Sequence, residues 1–231
     1  KIKKIKKDSK NFSNKNEIKT MSKLNFELTN DQKKALSDIN NDISSKNKMF
    51  RLLQGDVGSG KTIVSLISAL NVIESGYQVA FMAPTEILAK QHFNLSKKIF
   101  PSTIDVEILS SKTEYLKKKI ILDKVKNNKI HIVFGTHSLF QKKILFNNLG
   151  YIIIDEQHKF GVKQRKLLSD KGGRNCDVLL MSATPIPRTL TMTLYGDMDL
   201  SIIREKPKFR KEIKTYSKLE SKIEDVIKFV K

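Results

Sequence analysis

The residues best suited to chemistry are Gly55, Asp56, Val57, Gly58, Ser59, Gly60, Lys61 and Thr62, a complete G-x-x-x-x-G-K-[ST] pattern. It follows an apolar, strand-like run and precedes a helical one, the context in which such a loop cradles phosphates. The glycines let backbone N–H groups wrap phosphate oxygens, and a helix N-terminus adds unpaired donors. Lys61 can reach the β and γ oxygens of a nucleoside triphosphate, and Thr62 can ligate Mg²⁺. Well downstream, Tyr151-Ile152-Ile153-Ile154 runs into Asp155 and Glu156. Phosphoryl transfer needs one carboxylate for the metal shell and another to orient and deprotonate the attacking water. The pair therefore reads as Asp155 for Mg²⁺ and Glu156 as base. Taken alone, the same pair could cap the next helix.

Three further sites follow strand-like runs. Ser182-Ala183-Thr184-Pro185 offers hydroxyls that can bond to the Asp155–Glu156 loop, or that simply cap a following helix. Ala83-Pro84-Thr85 and Gly135-Thr136-His137 present hydroxyl and backbone N–H groups able to hold nucleic-acid phosphates without reading sequence, or to form ordinary turns. His158 lies three residues after Asp155. A lone histidine there fits a hydrogen-bonded link between the nucleotide and its neighbours better than a metal ligand. His92, His131 and His137 show no ligand spacing with it or with Cys176, so no zinc site is assigned.

Positioning these groups requires short β-branched strands alternating with amphipathic helices, the pattern of βαβ units around a parallel sheet. Strands are predicted at 51–54, 79–83, 105–109, 131–135, 151–155 and 178–182. Helices are predicted at 32–44, 61–74, 87–99, 113–126, 162–168 and 187–194. The fold class is α/β, a doubly wound, mainly parallel sheet with helices on both faces, which binds ligands at the carboxyl ends of its strands. Residues 1–25 carry nine lysines against Asp8 and Glu17 and read as a linker or a solvated helix end. Beyond Leu200, a basic stretch around Pro207 and a helical run at 221–230 read as a linker entering another domain.

With 231 residues and one cysteine, the chain can bury a substantial core and excludes a disulfide-framed scaffold. This fits a soluble protein of a reducing cytosol. The apolar stretch 63–73 is interrupted by Ser65, Ser68 and Asn71 and is too short to span a bilayer, so no membrane partner is expected. The basic N-terminus has no apolar core to make it a signal peptide. A net charge of +20 places a polyanion among the partners. Only six of the 44 basic residues are arginines, which suggests that part of the excess is compositional bias.

In this order the strings QGDVGSGKT (54–62), MAPTEILAKQH (82–92), GTHSLFQ (135–141), IIDEQHKFGV (153–162) and SATPIPRTL (182–190) resemble the first motor lobe of superfamily 2 helicases. Within them they are most similar to the bacterial RecG family, with the transcription-repair coupling factors as near relatives. Ser59, the Thr85-Glu86 pair and Gln157 favour the former. The resemblance implies a RecA-like P-loop NTPase lobe over 26–203, after a basic linker or domain end at 1–25 and before a linker and the start of a truncated second lobe at 204–231. It implies ATP and Mg²⁺ as cofactors, branched and duplex DNA as partner, and a bacterial cytoplasmic setting. The activity implied is ATP-dependent DNA helicase action on forks and Holliday junctions, in repair and recombination. A translocase lobe of a coupling factor, or a nucleotide- and DNA-binding module without efficient turnover, are the alternatives.

On matching positions, the resemblance places Phe26 and Gln32 at the adenine, Gly55 to Thr62 on the phosphates, Asp155 on Mg²⁺ and Glu156 on the water. Thr85, Gly135, Thr136 and His137 would meet DNA, while Gln157, His158, Ser182 and Thr184 would couple hydrolysis to movement. Residue type alone would make Gln32 a helix-surface residue. Lys159 stands where the family usually has arginine, keeping the charge but losing the planar fork. The family's wedge domain and its second lobe, with an arginine finger, are expected partners outside these 231 residues. Because such fingers contribute roughly 10³–10⁵ in rate, this stretch alone is expected to bind nucleotide and turn it over poorly.

Overall fold

The computed structural model describes residues 5–141, 144–155, 173–184, 198–206, 217 and 219–230. Along the chain run α1 (Lys15–Met21), α2 (Asn30–Ser44), β1 (Phe50–Gly55), α3 (Lys61–Glu74), β2 (Gln78–Met82), α4 (Glu86–Ile99), β3 (Val106–Leu109) and α5 (Tyr115–Lys126). Then follow β4 (Ile132–Gly135), a 3₁₀ turn at His137–Phe140, β5 (Leu149–Ile154), β6 (Asp177–Ser182), β7 (Asp199–Ile203) and α6 (Ile223–Val230). The predicted helices 162–168 and 187–194 lie outside the described residues, as do Glu156, Gln157, His158 and Lys159. Among the described residues, no helix is long and apolar enough to cross a membrane.

Among the described residues the strands form one sheet in the order β3-β4-β2-β5-β6-β1-β7, with every pairing parallel. Alternation along each central strand sends side chains to opposite faces. Leu53, Phe81, Ile153, Leu179 and Met181 join a core with α2 and α3, while Leu52, Ala80, Ile152, Ile154 and Leu180 line the other side. On that second side, Ile121 and Val125 of α5 pack with Val133 and Leu109. Helix α3 is buried continuously from Val64 to Ile73 because α1, α2 and the sheet enclose it. Its polar residues are paired accordingly. Ser68 Oγ lies 3.1 Å from the hydroxyl of Tyr151, and Asn71 Nδ2 donates to Glu17 Oε2 at 2.5 Å.

Two elements depart from the sequence reading. Strand β7 was not predicted, since Asp199–Ile203 is a half-exposed edge segment whose burial does not follow a clean alternation. It is fixed by pairing with β1 and by Arg51, whose Nη1 donates to Ser201 Oγ at 2.8 Å. The lysine-rich stretch read as solvated is instead partly buried. Lys7 and Lys10 both place their ammonium groups 2.7 Å from Asp177 Oδ2, and all three side chains have zero exposure. Phe12, Met21 and Leu24 pack against the main core. The reason is a buried counter-charge on β6, far away in sequence.

Cys176 precedes that strand, fully buried, and burial pushes its thiol up to about 12. A thiolate is the nucleophile, so the native protein is expected to resist iodoacetamide at pH 8 and to be alkylated only on unfolding. Rapid labelling at native conditions, read by intact mass, would contradict this burial.

Candidate active site

Register brings the motifs to one edge. Gln54 of β1 is level with Ser182 of β6, Met82 of β2 with Ile154 of β5, and Met82 also with Gly135 of β4. The phosphate loop, Asp155, Ser182–Thr184, Thr85 and Thr136 therefore all leave the carboxyl ends of parallel strands, where open α/β sheets bind ligands.

In the loop, Gly58 and Gly60 have φ of 76° and 90°, left-handed values that favour glycine. At Gly60 a side chain would also run into Gln32. Lys61 Nζ donates to the carbonyls of Gly55 at 2.7 Å and Asp56 at 3.0 Å, so the ammonium is held over the loop. Asp56 Oδ1 accepts from Val57 N–H at 2.7 Å. Ser59 Oγ is buried with no hydrogen-bond partner among the described residues. Thr62 opens the second position of α3, whose first-turn N–H groups have no intrahelical acceptor by helix geometry.

Gln32 is buried, at 2 % exposure, not on the helix surface. It closes a capping box with Thr29, accepting from Thr29 N–H at 2.9 Å, and its Nε2 donates to the carbonyl of Ser59 at 2.7 Å. The start of α2 is thereby tied to the phosphate loop. Phe26 is at the surface of the segment entering α2.

Asp155 follows β5, its N–H donating to Met82 O at 2.8 Å. Its Oδ2 lies 2.8 Å from Nε2 of His92, which projects from α4. The sequence reading assigned His92 no role. The two residues are 63 apart in sequence, and neither the helical pattern nor histidine spacing could signal the pair. Ser182 and Thr184 bond to each other, with Oγ and Oγ1 3.0 Å apart, and Gln54 Nε2 donates to the carbonyl of Thr184 at 3.4 Å. These contacts join the segment to the strand that enters the phosphate loop, while Glu156 and the 187–194 stretch, on which the two sequence readings turn, lie outside the described residues.

Thr85 is exposed and caps α4, its Oγ1 accepting from Leu88 N–H at 3.3 Å. Glu86 accepts from Ser111 N–H at 2.6 Å, and that bond lowers its carboxyl below the usual range. Thr136 precedes the 3₁₀ turn with its hydroxyl 3.3 Å from Ser138 Oγ, and His137 is exposed beside it. Thr62 and Asp155 offer hydroxyl and carboxylate oxygens, a donor set that fits a hard divalent cation such as Mg²⁺.

A model of the DEAD/DEAH box helicase family matches residues 29–193. The chain is 50 % identical to the ATP-dependent DNA helicase RecG of Aquifex aeolicus, over 99 % of this chain and 29 % of that protein. It is also 50 % identical to the RecG of Borreliella burgdorferi, over 86 % of this chain and 29 % of that protein. A solved structure of RecG bound to a three-way DNA junction superposes with a TM-score of 0.85 at 41 % identity, covering 96 % of this chain and 30 % of that one. The chain thus spans 29 % of the length of these two curated relatives.

Proposed function

The chain belongs to the DEAD/DEAH box helicase family, and from that premise we propose that it is the ATP-binding motor lobe of a RecG-type DNA helicase. The lobe uses MgATP hydrolysis to drive movement on branched and duplex DNA, as in fork reversal and Holliday-junction processing. The observation that carries this reading is the convergence of the phosphate loop, Asp155, the Ser182–Thr184 turn, Thr85 and Thr136 on one sheet edge.

MgATP, when bound, supplies the phosphoryl group. Backbone N–H groups of residues 55–62 hold its phosphates, and Lys61 leaves the carbonyls of Gly55 and Asp56 to neutralise the β and γ oxygens. Thr62 and Asp155 would hold the Mg²⁺, which would offset charge on the phosphates, and Glu156 would take the proton of the attacking water. Phe26 and Gln32 meet the adenine, and the bond from Gln32 to Ser59 supports a link between base recognition and the loop. Thr85, Gly135, Thr136 and His137 contact the DNA backbone. Gln157, His158, Ser182 and Thr184 carry the change at the γ-phosphate onward, and Gln54, bonded to Thr184, extends that route to β1. A second motor lobe and a wedge domain complete the enzyme in the cytoplasm.

The test is Glu156→Gln in the intact protein. MgATP affinity should stay within about twofold, while DNA-stimulated kcat falls by about 10²–10⁴, the contribution expected of a general base. Hydrolysis at the unmodified rate would remove Glu156 from that role. Failure of a three-way junction to stimulate the unmodified enzyme would refute the motor reading itself.

A further inference from the structure

The hydrogen bond between α4 and Asp155 has no part in the phosphate chemistry above, yet it ends on the carboxylate assigned to the metal. His92 Nε2 lies 2.8 Å from Asp155 Oδ2, and the side chains are 9 % and 13 % exposed. A carboxylate only accepts, so Nε2 carries the proton and donates. The ring cannot easily swing away. It lies against Phe81 of β2 with centroids 4.8 Å apart, and Phe81 is itself stacked on Phe134 of β4 at 5.0 Å. The backbone of Asp155 is fixed from the same strand, through Met82 O. One oxygen of the carboxylate is therefore held from the helix layer while its main chain is held from the sheet, which stops rotation about the last side-chain torsion.

We propose that His92 is a positioning residue for the Mg²⁺ site, holding the Asp155 carboxylate in its metal-binding orientation through the Nε2–Oδ2 hydrogen bond. The inference rests on the assignment of Asp155 to Mg²⁺ made above. Ligating carboxylates held by an outer hydrogen bond need no reordering when the cation arrives. Loss of such a partner typically costs about 10–100-fold in metal affinity. The imidazole also keeps the Asp155 side chain sheltered, since it covers the carboxylate with a ring that is itself nearly buried.

Two substitutions separate positioning from packing. His92→Phe keeps a ring against Phe81 and removes the donor. His92→Gln loses the ring and keeps an N–H at a comparable reach. In the intact protein, Mg²⁺ is titrated into a fluorescent, non-hydrolysable ATP analogue complex, and Mn²⁺ binding to the same complex is followed by electron paramagnetic resonance. His92→Phe should raise the Mg²⁺ concentration for half-saturation by about tenfold or more, with metal-free nucleotide affinity unchanged. His92→Gln should stay within about threefold of the unmodified protein, because the donor to Asp155 is retained. If Phe is harmless and Gln is the damaging change, His92 is a packing residue and the proposal is overturned. Equal damage from both overturns it as well. Asp155→Ala is run alongside. If it weakens Mg²⁺ and His92→Phe does not, the role of His92 alone falls. If Asp155→Ala leaves half-saturation unmoved, the metal assignment falls and takes this inference with it.

Discussion

Lys61→Ala is expected to weaken MgATP binding by roughly a hundredfold while leaving the fold intact. A charge-assisted hydrogen bond contributes about 1.5–3 kcal/mol. At about 1.4 kcal/mol per tenfold, losing the ammonium's contacts to the β and γ oxygens accounts for a change of that size. The fold should survive because Lys61 is only partly buried. Of the carbonyls it bonds, that of Asp56 is at the exposed part of the loop and can turn to water, while that of Gly55 is half-sheltered at the end of β1. Isothermal titration with ATP and Mg²⁺, beside a thermal melt, checks both halves. Conserved affinity with an unchanged melt would mean that the lysine serves only to brace the loop through those carbonyls. Lys61→Arg sharpens the comparison, since it restores charge but places a bulky fork in a loop shaped by Gly58 and Gly60 at left-handed φ.

The phosphate loop was legible in the sequence because all its determinants are local: spacing, glycine, and a strand and a helix on either side. The same holds for the buried strands, whose β-branched runs place their ends within two residues of those in the structure. What stayed hidden depends on partners remote in sequence. Gln32 looked like a surface residue because nothing near it announces that its carboxamide bridges Thr29 and Ser59. His92 looked idle because Asp155, 63 residues away, meets it only once α4 has packed on the sheet against β3 and β4. Strand β7 was missed because an edge strand need not alternate, and its stability comes from β1 and Arg51. Lysine is the extreme case, since a run of ammonium groups is normally read as solvated and only a buried carboxylate can invert that reading.

That inversion predicts the largest stability effect in the molecule. Asp177→Ala should destabilise the native state by about 3–5 kcal/mol, the usual result of stranding buried charges by deleting their partner. For a chain of this size that is a fall in Tm on the order of 10 °C. Asp177 Oδ2 receives both Lys7 and Lys10, and its Oδ1 accepts the N–H of Met49 at 2.7 Å, so one carboxylate serves two cations and a buried backbone donor. The lysines have secondary support only: Lys7 donates to Ile43 O and Lys10 to Asn175 O, each at 2.7 Å, and Lys10 stands over the ring of Tyr77. Burial already holds the Lys7 ammonium below its usual 10.5, against the pull of Asp177. The unfolded chain therefore binds that proton more tightly, and the contribution of Lys7 to stability improves as pH rises from its folded value toward 10.5. Stability relative to Lys7→Met should accordingly shift in favour of lysine as pH is raised toward 10.5. A double-mutant cycle decides the cause. In a Lys7→Met, Lys10→Met background, where the buried carboxylate is itself the stranded charge, the cost of Asp177→Ala should fall below that of the lost Met49 bond, about 1–3 kcal/mol. If the cost is undiminished, the carboxylate matters through Met49 alone. Urea denaturation, with limited proteolysis of residues 5–24 to report release of the N-terminal arm, distinguishes the two.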